Sequence, residues 1–173
     1  MKKIIFLSFV CFLFSACQSQ KVPPIVPAVE VKSMNNSSNL DIIGAIEPVY
    51  FLPMKSPFEA RIDTGAENSS IDVDSHKLFE RDGEKWVSFV LTNRETGESH
   101  RFEKKVLSTV KIKRINEHEK RITVLMDVKF GDEIIKEKFS LADREKFEYQ
   151  ALIGRNILTG RAIVDTSLSH TFR

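Results

Sequence analysis

An all-β domain, folded as a compact barrel or sandwich, is the class this sequence predicts, and three observations predict it. Short runs that mix β-branched and aromatic residues with polar alternation recur at close spacing between residues 49 and 141. Turn residues stand between those runs at Asp82-Gly83, Glu95-Thr96-Gly97-Glu98 and Gly131-Asp132, each a hairpin candidate. Helical signals are few. In chain order the strand-like runs are residues 49–52, 58–62, 86–92, 100–108, 111–115, 121–130 and 134–141. Helix starts are read at Asp74-Ser75, ahead of His76-Lys77-Leu78-Phe79, and at Asn156, ahead of Ile157-Leu158.

The region before the domain carries an address. Lys2-Lys3 is a basic start, and residues 4–14 form an apolar core too short for an ordinary membrane span. Phe14-Ser15-Ala16-Cys17 reads as a lipoprotein cleavage box, which makes residues 1–16 a signal peptide and Cys17 the acylated first residue of the mature chain. Cys11 leaves with the signal, so no thiol remains for a disulfide or for cysteine-based catalysis. Residues 17–39 include Pro23, Pro24, Pro27 and Asn35-Asn36-Ser37-Ser38-Asn39, the composition of a flexible tether. Residues 40–173 are then one domain. Gln18 follows the lipidated cysteine; by resemblance to Gram-negative sorting rules, the absence of Asp there directs the protein to the cell envelope, anchored in the outer membrane and facing the periplasm.

Composition excludes several function classes. The 26 Lys and Arg and the 24 Asp and Glu are interspersed and leave a net charge of +2, which suggests no nucleic-acid partner. The locally basic stretch 104–121 reads as a solvated strand face. No Gly-x-x-x-x-Gly-Lys loop offers a phosphate cradle, and no His-Glu-x-x-His helix offers zinc ligands. His76, His100, His118 and His170 lack ligand spacing, so neither metal nor cofactor is expected. Ser69-Ser70 sits in no Gly-x-Ser-x-Gly elbow; these serines are expected to bond the backbone of the nearby turn instead.

Two segments carry chemistry. The first, Ala60-Arg61-Ile62-Asp63-Thr64-Gly65-Ala66, sets a carboxylate just past a short apolar strand. Asp-Thr-Gly also occurs in plain turns, where Asp bonds the backbone and Gly supplies a positive φ. The second, Ala151-Leu152-Ile153-Gly154-Arg155-Asn156-Ile157-Leu158, is an apolar run into Gly-Arg-Asn and a short helix. In this order the two resemble the retropepsin family of aspartic peptidases. The stretches Leu141-Ala142-Asp143-Arg144 and Ala162-Ile163-Val164-Asp165 look like its bacterial retropepsin-like group, some members of which are labelled ATP-dependent zinc proteases. The resemblance covers residues 42–172.

What the resemblance implies is a closed β-barrel with one short helix near the C-terminus and an aspartic endopeptidase activity. Asp63 would be catalytic. Thr64 would lock two loops across a symmetry axis, Gly65 would let the backbone approach substrate, and Ala66 would keep the floor narrow. Arg155 would form a buried, bidentate pair with Glu67 that holds the loop. Only one Asp-Thr-Gly is present, so a homodimer presenting Asp63 twice supplies the second carboxylate, with Asp165 as the alternative inside one chain. By position, the hairpin around Gly97 resembles the flap that closes over substrate. Peptide or protein is the expected substrate, and some bacterial relatives suggest a system built around an ATP-grasp ligase. A non-catalytic envelope binding module on the same barrel is the alternative.

Overall fold

Apolar and polar residues alternate along these strands, and that alternation is what lets them close on themselves. The computed structural model describes residues 40–113 and 118–172. Its strands are β1 (Asp41–Ile43), β2 (Ile46–Phe51), β3 (Phe58–Ile62), β4 (Ser69–Asp72), β5 (Ser75–Arg81) and β6 (Glu84–Thr92). They continue with β7 (Ser99–Lys105), β8 (Ser108–Lys113), β9 (His118–Phe130), β10 (Glu133–Ala142), β11 (Ala151–Ile153) and β12 (Ala162–Val164). The helix α1 (Arg155–Leu158) lies between β11 and β12. The expected signal peptide, the expected lipidation site Cys17 and the expected tether fall outside the described residues.

The order β10-β4-β11-β3-β2-β9, with β10 pairing back onto β9, makes a closed six-stranded barrel, and β8 extends it at β9. Closure removes the sheet edges that would otherwise recruit other chains. Alternate residues of each strand fill the interior: Val49 and Phe51 from β2, Val124, Met126 and Val128 from β9, and Phe139 from β10 are all fully buried. Phe51 meets Phe58 and Phe139 edge-on at centroid distances of 5.3 and 5.1 Å. Strands β5, β6 and β7 form a separate antiparallel sheet, and Val87, Phe89, Leu91 and Phe102 are its buried residues. Its first hairpin turns through Asp82 and Gly83, both at positive φ (54° and 75°), as the Asp-Gly signal requires.

Three local expectations change. Residues 75–81 are a strand, because β5 pairs with β6 along its whole length, from Ser75 opposite Val90 to Arg81 opposite Glu84. The Asp74 carboxylate accepts the Thr92 hydroxyl at 2.7 Å rather than capping a helix. The run 100–108 is two strands, since the chain leaves β7 and Leu107 donates its N–H to the Thr123 carbonyl at 2.9 Å before β8 begins. Strands β1 and β4 escape sequence reading because they are short; among the described residues β1 and β12 pair only with each other, in parallel.

The C-terminal segment is tied to the barrel by a buried carboxylate. Glu47 is fully buried, and its oxygens accept the N–H of Gly44 (2.6 Å), the N–H and hydroxyl of Thr171 (3.1 and 2.7 Å) and the N–H of Phe172 (3.1 Å). Burial pushes this carboxyl group's pKa up, but the bonds from Thr171, Gly44 and Phe172 together outweigh it and hold the pKa below the ordinary glutamate value.

Candidate active site

The Asp63 loop is shaped by the strand before it and by the helix packed against it. Strands β3 and β11 run in parallel with Ile62 beside Ile153, and Asp63 donates its N–H to the Ile153 carbonyl at 2.9 Å. The carboxylate then folds back on its own loop. Its Oδ1 accepts the N–H of Gly65 at 2.8 Å and of Ala66 at 3.1 Å. The turn and the presentation of a carboxylate are therefore one structure. Among the described residues Oδ2 has no hydrogen-bond partner, so one oxygen of a half-buried Asp63 is left for other chemistry.

Gly-Arg-Asn is the partner of this loop, and each residue has its reason. A Cβ on Gly154 would stand 2.9 Å from the Ala66 carbonyl oxygen and 2.9 Å from the Asn68 carbonyl carbon, so only glycine permits this approach. The N–H groups of Arg155 and Asn156, which have no partner inside α1, donate to the carbonyls of Ala66 (2.9 Å) and Glu67 (3.1 Å). Asn156 accepts the N–H and hydroxyl of Ser69 through Oδ1, both at 2.8 Å, and donates to the Lys138 carbonyl at 3.0 Å. Ser69 in turn accepts the Gly154 N–H at 3.0 Å. Ser69 thus bonds the helix start rather than the Asp63 turn.

Arg155 supports the loop, though not through Glu67. Its guanidinium donates to the carbonyls of Thr64 at 3.1 Å and Gly65 at 2.7 Å, and both Arg155 and Glu67 are exposed. The buried arginine-carboxylate cluster forms elsewhere, on Asp72. One Asp72 oxygen accepts the Arg144 N–H at 2.6 Å, and the other pairs with the Arg94 guanidinium. Arg94 also donates to the carbonyls of Phe147 and Arg144, each at 3.1 Å. No sequence signal marked Arg94, and the stretch Leu141-Ala142-Asp143-Arg144 carried the resemblance without a role for Arg144, because the Asp72 partner lies 22 and 72 residues away from these arginines.

The other aspartates are engaged locally. Asp165 accepts the N–H and hydroxyl of Ser167 at 2.9 and 2.7 Å, and those bonds hold its carboxyl group below the usual range. Asp143 accepts the Glu145 N–H at 3.1 Å. Nor is the turn around Gly97 a free flap. Glu98 accepts the N–H groups of Lys55 and Ser56, Asn93 donates to the Pro57 carbonyl at 2.7 Å, and Arg94 accepts a role in the Asp72 cluster. These bonds fasten the turn to the barrel wall. Within the basic stretch, Lys104 pairs with Asp127 and Lys105 with Glu84.

Two cavities flank the cluster. The larger, about 590 Å³, is lined by Asp72, Asp74, His76, Arg94 and Asp143 and does not include the Asp63 loop. The second, about 430 Å³, is bordered by Ala66, Glu67 and Asn68 of that loop and by Arg121, Lys138 and Arg144. Proximity to the loop, not size, makes the second the relevant one.

Residues 42–172 match the family described as retropepsin-like aspartic endopeptidase RimB. The chain belongs to the RimB-like family. This agrees with the barrel, the single short helix and the mutual packing of the Asp-Thr-Gly and Gly-Arg-Asn segments. Among curated proteins, a "Probable alpha-L-glutamate ligase" of Shewanella pealeana is 34% identical over 137 residues, 77% of this chain and 30% of its own length. One of the same name from Desulfotalea psychrophila is 31% identical over 133 residues, 73% of this chain and 28% of its own. The chain thus spans under a third of the curated relatives it matches. A crystal structure of a Legionella pneumophila protein of unknown function aligns with a TM-score of 0.67 at 29% identity, covering 77% of this chain and 98% of that one.

Proposed function

We propose that this protein is an aspartic endopeptidase of the cell envelope, anchored through Cys17, in which Asp63 activates water against a peptide bond. The observation that carries this is the Asp63 carboxylate: one oxygen is bonded by the N–H groups of Gly65 and Ala66, and the other is open. An aspartic peptidase needs two carboxylates sharing one proton, since both cannot ionise side by side; one draws a proton from water while the other protonates the carbonyl. The second comes from Asp63 of another copy, because the sequence has one Asp-Thr-Gly and Asp72 gives both its oxygens to the Arg144 N–H and to Arg94. Thr64 and Gly65, both exposed, are free to meet that copy.

Relatives named as probable alpha-L-glutamate ligases, in which the matching domain is a minor part, support a substrate that contains ligated glutamate. The alternative, a non-catalytic binding module, is favoured by the single Asp-Thr-Gly. The test compares the full chain with Asp63→Asn on a diverse peptide library from acidic to neutral pH, with mass followed by light scattering. Cleavage by wild type alone, rising with the dimer, supports the peptidase. No cleavage by either, at concentrations where the dimer forms, favours the binding module.

A further inference from the structure

A core face of the three-stranded sheet runs past its last strand. Leu78 of β5 stands directly opposite Val87 of β6, and His76 stands opposite Phe89, so these side chains share one face. Val87 and Phe89 are buried, whereas Leu78 is 50% exposed and His76 is exposed. The sheet order is β5-β6-β7, and among the described residues no strand pairs with the outer edge of β5. That edge runs the length of Ser75–Arg81 without a proline or a glycine to interrupt it. A row of unpaired backbone N–H and C=O groups of this length is a template for one more strand, and that strand would also cover Leu78.

The side chains of β5 decide which strand it fits. Residues directly opposite each other in an antiparallel pair lie on the same face, so a two-fold axis relating two β5 strands side by side must pass through a residue. Through Lys77 it would set lysine against lysine, and through Phe79 it would set Lys77 against Arg81. Through Leu78 the whole strand pairs, with Leu78 against Leu78, His76 against Glu80, Lys77 against Phe79 and Ser75 against Arg81 of the second copy. That register brings an apolar pair to the axis, an imidazole to a carboxylate on either side of it and an ammonium to an aromatic ring, and it sets no like charges opposite each other. Arg81 is already held by Glu103 at 2.5 Å, but His76, Lys77 and Glu80 have no ion-pair partner among the described residues.

We infer that β5 is an interface with a second copy of this chain, in which two β5 strands pair antiparallel about a two-fold axis at Leu78 and join two three-stranded sheets into one. The contact buries Leu78 against its counterpart and pairs the backbone groups of the open edge. It uses no residue of the Asp63 loop and does not require Asp63 to be catalytic.

The test uses the full chain with Cys11→Ser and Cys17→Ser, so that an introduced cysteine is the only thiol. Directly opposite residues on paired strands have Cβ atoms about 4.5–5.5 Å apart, close enough for a disulfide after a small adjustment. Leu78→Cys should therefore give a reducible dimer on mild oxidation, whereas Ser75→Cys, which meets Arg81 rather than itself, should not. Leu78→Lys, at a half-exposed position, should halve the mass read by light scattering with far-ultraviolet circular dichroism unchanged. Glu80→Lys should raise the dissociation constant about tenfold, because it sets a lysine opposite His76 twice in each interface, and adding His76→Glu should restore it. A wild type that is monomeric at every concentration, a mass indifferent to Leu78→Lys, equal cross-linking of the two cysteine variants, or no rescue by His76→Glu overturns the interface. The peptidase proposal fails separately: cleavage abolished by Asp63→Asn in a chain whose mass ignores Leu78→Lys leaves the peptidase and removes the interface, and a chain that loses its partner with Leu78→Lys but cuts no peptide does the reverse.

Discussion

Replacing Asp72 by Asn tests whether the arginine cluster is what holds the Arg144 side of the site. Asp72 is 8% exposed; one oxygen accepts the Arg144 N–H at 2.6 Å, and the other pairs with Arg94. An asparagine that keeps its oxygen toward Arg144 must turn its amide N–H groups onto the Arg94 guanidinium, so two donors face each other where a charge pair stood. Breaking a buried pair costs about 3–5 kcal/mol. The Arg94 side chain is 36% exposed, so water screens part of that loss and about 2–3 kcal/mol remains. With unfolding entropy of about 2.1 cal/mol/K per residue over about 130 residues, Tm should fall by about 7–11 °C. Calorimetry or circular dichroism of the full chain reads this directly. Adding Arg94→Gln to Asp72→Asn should cost less than the sum of the two, because the second change removes a charge already unpaired. A Tm within about 2 °C of wild type, or strictly additive losses, would refute the buried pair as the anchor of this region.

Other substitutions separate structure from chemistry. Glu47→Gln turns an amide N–H toward the donor of either Phe172 or Thr171 and should lower stability by about 2 kcal/mol in urea unfolding. Because the folded pKa of Glu47 lies below its unfolded value, its contribution is complete above about pH 4.3 and is lost as pH falls through the folded pKa. The difference in Tm between wild type and Glu47→Gln should therefore hold from pH 7 down to about 4.3 and shrink below that, and a difference that stays constant at lower pH would contradict it. Gly154→Ala sets a methyl group against the backbone of Ala66 and Asn68 and should cost about 1–3 kcal/mol, measured by the same unfolding transition. Arg155→Gln removes donors to the Thr64 and Gly65 carbonyls at an exposed site; stability should change by less than about 1 kcal/mol while peptide cleavage falls about tenfold or more.

Local chemistry was legible in the sequence wherever it sufficed to set local structure. Asp82-Gly83 turned as its residue types demand, and period-two alternation from 121 to 141 marked the long β9-β10 hairpin. Asp63-Thr64-Gly65 and Gly154-Arg155-Asn156 were recognisable because each is a short, contiguous requirement: a carboxylate bonding its own loop, and a glycine admitting a backbone. Where a short segment had no strong preference, its neighbours decided. Residues 75–81 became a strand because β6 lay ready to pair, and Ser69–Asp72 became a buried strand between β10 and β11 despite its polar residues. Ser69 and Ser70 looked like turn-bonding serines and instead serve Gly154 and Arg144.

The sequence by itself determined the all-β class and the two short segments, Asp63-Thr64-Gly65 and Gly154-Arg155-Asn156, since each depends on residues within a few positions of one another; that the two meet across about ninety residues was implied by the family resemblance and is made by the parallel pairing of β3 and β11. Only the tertiary structure decided which carboxylate holds an arginine cluster, that Arg155 serves carbonyls rather than Glu67, and that the Gly97 turn is fastened down. Those outcomes depend on barrel closure and strand register, which bring together side chains tens of residues apart, and no local pattern encodes which of many possible partners will meet.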